Sequence, residues 1–455
     1  MSRSFRPSTG SRTAPTRATA RARLCAAIAL FVLTADAAAR AGGLSSRRGG
    51  GAPLPEDAPA AWGADVNPGA GRKLIDAADG ELVAFLRLAP NARARRAAEL
   101  SRQRATGAIE AWKRFRNPEL AALAVACLDH ADWHVVHRAL HWLSAIDARA
   151  ALRPALERLD HAQPLLRERA ILAAIDGWDD ATAAAALGGP PLPRLSARRE
   201  RERDPHLQAA LTALIERIEG TRLPRRLADE PLQTRADGLI WTPFLAGESE
   251  IPTVALDRPR TPTWATDTAS ATPPATTAVG WPLLQFGREE VARITLQPFG
   301  KPRREGALYH TGIDVGACRD GSGYYAPADG IVRLVDSGGT AGTRFVVHFV
   351  LPAAARTAAT ASDDDVRINA IWMHASARVF VAAGERVVRH QLLGTMGDSY
   401  SFENGGHFAH LHFGIYPGPF RSNHNHGYQP AAMGLDDWLD PAVVLPRWIG
   451  GAPPK

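Results

Sequence analysis

Two periods of hydrophobicity divide the chain. From about residue 73 to 220, apolar positions return at three- and four-residue spacing in stretches dense in Ala, Leu and Arg, which predicts amphipathic helices. From 281 to about 445, short apolar runs alternate with glycine turns, as in "GIVRLVDSGG", "RFVVHFVLP", "INAIWMH", "ERVVRHQLLGTMG" and "HLHFGIY". Several short strands at close spacing predict a compact β domain. Between the two, residues 221–280 are dominated by Pro, Thr and Ala with little periodicity and read as a linker, part of which docks through Trp241 and Phe244. Residues 40–72 read as a flexible lead and 446–455 as a tail. The expected fold class is multidomain α plus β, with an N-terminal α-helical domain at 73–220 and a C-terminal, mainly antiparallel β domain at 281–445.

The helical part carries a weak internal repeat. Leu128-Asp129-His130-Ala131 recurs as Leu159-Asp160-His161-Ala162, an offset of 31 residues, and Arg138 and Ala139 recur as Arg169 and Ala170. Helix, Asp-containing turn and helix at a period of about 30–45 residues is solenoid arithmetic. The segment resembles HEAT-type repeats; an irregular helical bundle with chance similarity is the alternative. A solenoid of this kind offers a surface for a protein partner. His134, His137 and His141 are spaced to share one helix face. No acid interleaves with them and Arg138 adjoins, so they are expected, with His130 and His161, to be surface or packing residues.

Composition alters the picture mainly at the N-terminus. A hydrophobic share of 45% and a charged share of 22% are ordinary for a globular chain. A length of 455 residues calls for two or three domains. The formal charge of +7 would fit a polyanion partner if it were spread over the chain. Instead, residues 1–39 hold six Arg against one acid, Asp36, so most of the excess sits in one arm and no nucleic-acid partner is expected. In that arm the apolar run Leu24–Leu33 is ten residues, well short of the about 20 that a spanning helix needs. A basic start, a short apolar run and Ala37-Ala38-Ala39 together resemble a secretory signal peptide over 1–39. The expectation is export to the periplasm, cell envelope or exterior, with no stable membrane span after cleavage. An uncleaved anchor or a basic arm without structure is the rival. Cys25 lies at the start of the apolar run instead of after it, which argues against lipoprotein processing. Cys127 and Cys318 fall in different predicted domains, so no disulfide framework exists; Cys318, four residues after Asp314, is within reach of a site there but reads as a small buried thiol.

The β half concentrates the chemistry. In "GGHFAHLHFGIY", His410 and His412 are two apart on an alternating run, so both imidazoles face one side of a strand. Upstream, "YHTGIDVGA" places His310 and Asp314 four apart, and His374 ends "INAIWMH". Catalytic zinc sites use about three protein ligands and keep one position open for water. Two neutral imidazoles and a carboxylate fit that set and leave two histidines over for proton transfer and oxyanion stabilisation.

These motifs, in this order, resemble the lysostaphin-like, LytM-type zinc endopeptidases of bacterial cell walls. The likeness extends through "PFGKPRREGALYHTGIDVGA", "YYAPADGIVRLVDSGG", "VAAGERVVRHQLLGTMGDS" and "HLHFGIY", over about 285–416. It implies one Zn²⁺ per chain held by His310, Asp314 and His412, with His374 and His410 as the catalytic histidines. It also implies hydrolysis of peptide cross-links in peptidoglycan. The chain departs from the family pattern in three places: Gly384-Glu385 where Gly-Gln is common, a loop at Ala353–Val366, and a long approach "DSYSFENGGHFA" to His410. His407 reads as a rim residue, and His424 and His426 as loop residues near the groove. The rival function is a non-catalytic wall-binding or regulatory module that activates another wall hydrolase; the intact ligand set argues for catalysis. A long linker permits either a docked helical domain that limits access to the groove or a targeting domain that leaves it open.

Overall fold

The structure, a computed structural model, describes residues 81–112, 115–227, 233–234, 240–241, 273, 276, 278–286, 291–316, 320–337, 339–351, 367–399, 401, 403–407, 409–422 and 424–449. The signal-like arm, the lead over 40–72, most of the linker, Phe244, Cys318 and the whole Ala353–Val366 loop lie outside the described residues.

Helices occupy the N-terminal part. They are α1 (Pro90–Trp112), α2 (Ala121–Cys127), α3 (Trp133–Ile146), α4 (Ala148–Leu156), α5 (Pro164–Gly177), α6 (Asp180–Leu187), α7 (Pro191–Arg201) and α8 (Pro205–Ile218). Their starts follow from local chemistry. Asp132, Asp147, Asp179 and Asp204 each accept a backbone N–H of the first turn, which satisfies donors that the helix itself cannot. Proline opens α5, α7 and α8, where its missing N–H costs nothing.

The 31-residue repeat is visible in the geometry. Helices α3 and α5 are both 14 residues long and start 31 positions apart. The turns before them are built alike, with the Asp132 N–H donating to His130 Nδ1 and the Gln163 N–H to His161 Nδ1, each at 3.0 Å. These two histidines are turn-forming groups. Nor do the other three meet at one point: His134 stacks on Trp133, His137 is buried, and His141 reaches the β part. Cys127 is a buried free thiol.

The C-terminal part is an antiparallel sheet. Its strands are β1 (Thr295–Gln297), β2 (Pro302–Arg303), β3 (Leu308–His310), β4 (Gly312–Val315), β5 (Gly323–Tyr325), β6 (Gly330–Ser337), β7 (Thr343–Val350), β8 (Arg367–Val379), β9 (Arg386–Val387), β10 (Leu392–Met396), β11 (Leu411–Pro417) and β12 (Tyr428–Pro430). The main sheet runs β9-β6-β7-β8-β11-β4-β1; β10 pairs with both β8 and β5, and β12-β3-β2 form a small sheet beside it. Alternation sorts the side chains. Ile313, Val315, Phe345, Trp372, Leu411 and Phe413 build the larger core on one face. Leu334, Val346, Ile371, Met373, Tyr416 and Trp438 build a smaller cluster on the other. A closing helix, α9 (Pro441–Trp448), is capped by Asp440.

Residues from Leu82 onward belong to one compact unit, and helices and sheet meet through buried and half-buried polar groups. The Tyr325 hydroxyl donates to Glu168 at 2.7 Å. His206 Nε2 donates to the Trp281 carbonyl at 2.8 Å. Arg378 pairs with Asp176, and Arg222 with Glu385. Helix α5, buried on nearly all sides, lies at the centre of this contact and carries Glu168 and Arg169. Among the described residues no helix is long and apolar enough to cross a membrane.

Candidate metal centre

Strand pairing assembles the site. On β4 and β11, Asp314 lies directly opposite His412, so their side chains leave the sheet on the same face. The neighbouring pair Gly312 and Gly414 lets the two backbones approach; a Cβ on Gly312 would sit 2.3 Å from the Phe413 carbonyl oxygen. His310 ends β3 two residues before β4 begins. Its ring is aimed by a hydrogen bond from Nδ1 to the Pro298 carbonyl at 3.0 Å.

Three ligand-type atoms converge. His310 Nε2 lies 3.0 Å from Asp314 Oδ1 and 2.9 Å from His412 Nδ1, and His412 Nδ1 lies 3.0 Å from Asp314 Oδ1. All three residues are buried. Because a carbonyl only accepts, His310 carries its proton on Nδ1 and turns a lone pair to the centre. One proton on His412 Nδ1 would satisfy a single edge of this triangle, whereas a cation satisfies all three atoms at once. Two imidazoles and a carboxylate suit Zn²⁺, and the Nδ1–carbonyl bond of His310 is the outer support typical of a metal-binding histidine.

The charge balance agrees. Burial opposes ionisation of Asp314, but the electrostatic pull of His410, with the close approach of the His310 and His412 rings, outweighs it and holds the carboxyl well below the usual range. Burial pushes the His412 imidazole down to about 4, against the pull of Asp314, so the ring is neutral and able to ligate near neutral pH.

The two further histidines stand beside the triangle. His410 Nε2 is 3.7 Å from Asp314 Oδ1, outside hydrogen-bonding range. His374 packs on His410 with ring centroids 4.3 Å apart, and its centroid is 6.5 Å from that of His412. The backbone explains how His374 gets there. Met373 pairs with His412 and so shares its face, and simple alternation would turn His374 away. Instead, His374 adopts φ 63° and the pairing of β8 with β7 slips at this point, as in a β-bulge. Histidine is among the residues that enter this left-handed region more readily than most. The ring then donates from Nδ1 to the Asn404 carbonyl at 2.9 Å, which leaves Nε2 with the lone pair. Burial, reinforced by His410 and His407, drives its basicity well below that of a free imidazole.

All five expected residues therefore lie in one neighbourhood, three in the triangle and two beside it. His407 stands at its edge, half-buried, with its ring 4.6 Å from that of His374. His424 and His426 pack against Trp438. Asn404 and Asp398 are site residues that sequence reasoning missed. Asn404 is signalled only by the turn Asn404-Gly405-Gly406, both glycines of which have positive φ.

No family model matches the chain, and no curated protein matches it. Among solved structures it is similar to a zinc-containing peptidase from Vibrio cholerae, at 21% identity over 27% of this chain and 33% of that one, with a TM-score of 0.21. It is also similar to a putative peptidase M23 from Pseudomonas aeruginosa, at 19% identity over 39% of this chain and 55% of that one, with the same TM-score of 0.21. The matches thus span about a third and about half of those chains. A likeness at this level carries no weight for fold or function, and the reading of the site stands on its geometry.

Proposed function

We propose that this chain is an exported, zinc-dependent metalloendopeptidase that hydrolyses peptide cross-links of peptidoglycan, with a HEAT-like helical region at 73–220 joined through 221–280 to a LytM-type peptidase domain at 281–445. The observation that carries the hydrolase is the buried triangle of His310, Asp314 and His412, flanked by two further imidazoles. The wall substrate and export rest on the motif resemblance and on the signal-like arm. They bring with them peptidoglycan peptides as substrate and a protein partner on the helical face, with no nucleic acid and no membrane span in the mature chain.

In this reading His310, Asp314 and His412 hold the metal. When bound, Zn²⁺ supplies a Lewis acid that acidifies water and polarises an amide carbonyl. His374 presents an unprotonated Nε2, because its Nδ1 proton is committed to Asn404; it is the group that takes a proton during attack and returns it to the leaving amine. His410, in ring contact with His374 and beside Asp314, completes the donor set around the oxyanion. No Glu base of the H-E-x-x-H type occurs in the β segment, so histidine must carry the proton.

The test is digestion of purified walls by the zinc-loaded chain, before and after removal of the metal by a chelator and after its return. Release of new amino termini that disappears with the metal and reappears with it supports the proposal. A chain that binds zinc stoichiometrically yet cuts no wall peptide, while raising the activity of an added wall hydrolase, would replace this reading with the regulatory one.

A further inference from the structure

The end of β10 lies between the helical array and His374, and hydrogen bonds join it to both. On the helical side, Arg116 Nη2 donates to Asp398 Oδ2 at 2.9 Å. His141 Nε2 bonds to the other carboxylate oxygen, Oδ1. Arg169 Nη1 donates to His141 Nδ1 at 2.9 Å and to the Gly321 carbonyl at 3.2 Å. Since Arg169 can only donate, His141 accepts at Nδ1 and donates from Nε2, so its orientation is fixed. Gly321 in turn donates its N–H to the Met396 carbonyl at 3.0 Å. A Cβ at Gly321 would fall 2.2 Å from Arg169 Nη1, a measure of how closely the array is seated.

On the catalytic side, the Gly397 N–H donates to the His374 carbonyl at 2.9 Å. The Asn404 side-chain amide donates to the Asp398 carbonyl at 3.0 Å and to the Gly397 carbonyl at 3.4 Å. The Asn404 carbonyl is the atom that receives the His374 Nδ1 proton. Asn404 is fully buried, and Arg116 and Asp398 are largely so. Buried, charge-assisted bonds of this kind restrict the groups they hold more firmly than neutral surface contacts.

We propose that Arg116 and His141 of the helical array are positioning residues for the active site, holding Asp398 so that the 397–404 segment presents the Asn404 carbonyl to His374. The proposal rests on the reading of His374 as the proton-handling group. It gives the array a supporting role: docking of the helices sets the tautomer and the angle of the imidazole. It goes beyond the choice between covering and targeting that a long linker leaves open.

The experiment uses the full-length zinc-loaded chain, with Asp398→Asn and Arg116→Met as disrupting variants and Arg116→Lys as the conservative control. Turnover of a soluble cross-linked wall peptide, metal content and hydrogen exchange of the 397–406 segment are measured together. In both disrupting variants kcat should fall about tenfold or more while KM stays within about twofold and zinc stays near one per chain. Exchange in 397–406 should quicken about tenfold, and Arg116→Lys should restore kcat to within about threefold. Unchanged kcat and unchanged protection of 397–406 would overturn the proposal. So would a parallel loss of zinc, a rise in KM and faster exchange throughout the chain, since that marks general damage to the fold. If the wild-type chain cuts no wall peptide, the proposed function fails separately, and the exchange measurement still decides whether the array holds the segment.

Discussion

On the proposed function, replacing His374 should separate metal binding from proton transfer, provided the backbone is respected. His374 sits at φ 63°, where a non-glycine residue costs about 1–2 kcal/mol. Alanine enters this region less readily than histidine and would add strain to the loss of the ring, whereas asparagine tolerates the region, so His374→Asn isolates the chemistry. His374 is not one of the three atoms that converge in the triangle, and its bond to the Asn404 carbonyl is local. His374→Asn should therefore keep zinc near one per chain and lose about 10²–10⁴-fold in kcat, or about 3–5 kcal/mol of barrier. His310→Ala removes a ligand and should lose zinc and turnover together. Metal content by atomic emission after gel filtration, alongside release of amino termini from purified walls, reads both quantities in one preparation. Equal zinc loss in the two variants would refute the division between ligands and proton-handling histidines.

Zinc added to the metal-free chain should raise the thermal midpoint by several degrees, since an excess of about 100 Kd contributes about 3 kcal/mol; Asp314→Asn should abolish most of that shift in differential scanning fluorimetry. Glu168, fully buried, has its carboxyl raised by burial from 4.5 to about 7, against the hydrogen bond from Tyr325. A carboxyl raised in the folded state adds stability that is complete below its unfolded value of 4.5 and is lost as pH climbs to about 7. Denaturant titrations across that window should show a fall of at most about 3 kcal/mol from this group, and Glu168→Gln should flatten it. Gly312→Ala should force β4 away from β11 and cost several kcal/mol of stability, with weaker zinc binding; an unchanged denaturation midpoint would contradict the close approach seen there.

The triangle was legible because its geometry is short-range in sequence or follows from alternation. His310 and Asp314 are four residues apart, and His412 lies on a strand whose pattern announces its facing side. The helical repeat was legible for a similar reason, since an offset of 31 residues reappears as two helices of equal length. What escaped notice has a different physical origin. Asn404 acts on His374 through a backbone carbonyl, an atom every residue possesses, so no side-chain motif marks it. The Arg116–Asp398 contact joins positions 282 apart, and neither residue looks unusual in its own neighbourhood. The bulge at His374 is a slip between strands, which alternation within one strand does not reveal. His141, read as a surface or packing residue, belongs instead to a polar contact between helices and sheet.

The left-handed backbone at His374 also narrows the substitutions open to descendants of this sequence. When a catalytic histidine is no longer needed, most positions drift to whatever packs well. Here a β-branched or bulky replacement meets a steric penalty unless the bulge between β7 and β8 is remodelled as well. Asparagine, aspartate and glycine pass without that remodelling. On the proposed function, a relative that keeps this sheet without hydrolysing peptides should carry one of those three directly after an otherwise familiar "INAIWM" stretch. Under that reading the residue at position 374 would separate working hydrolases from silent copies in genome sequences.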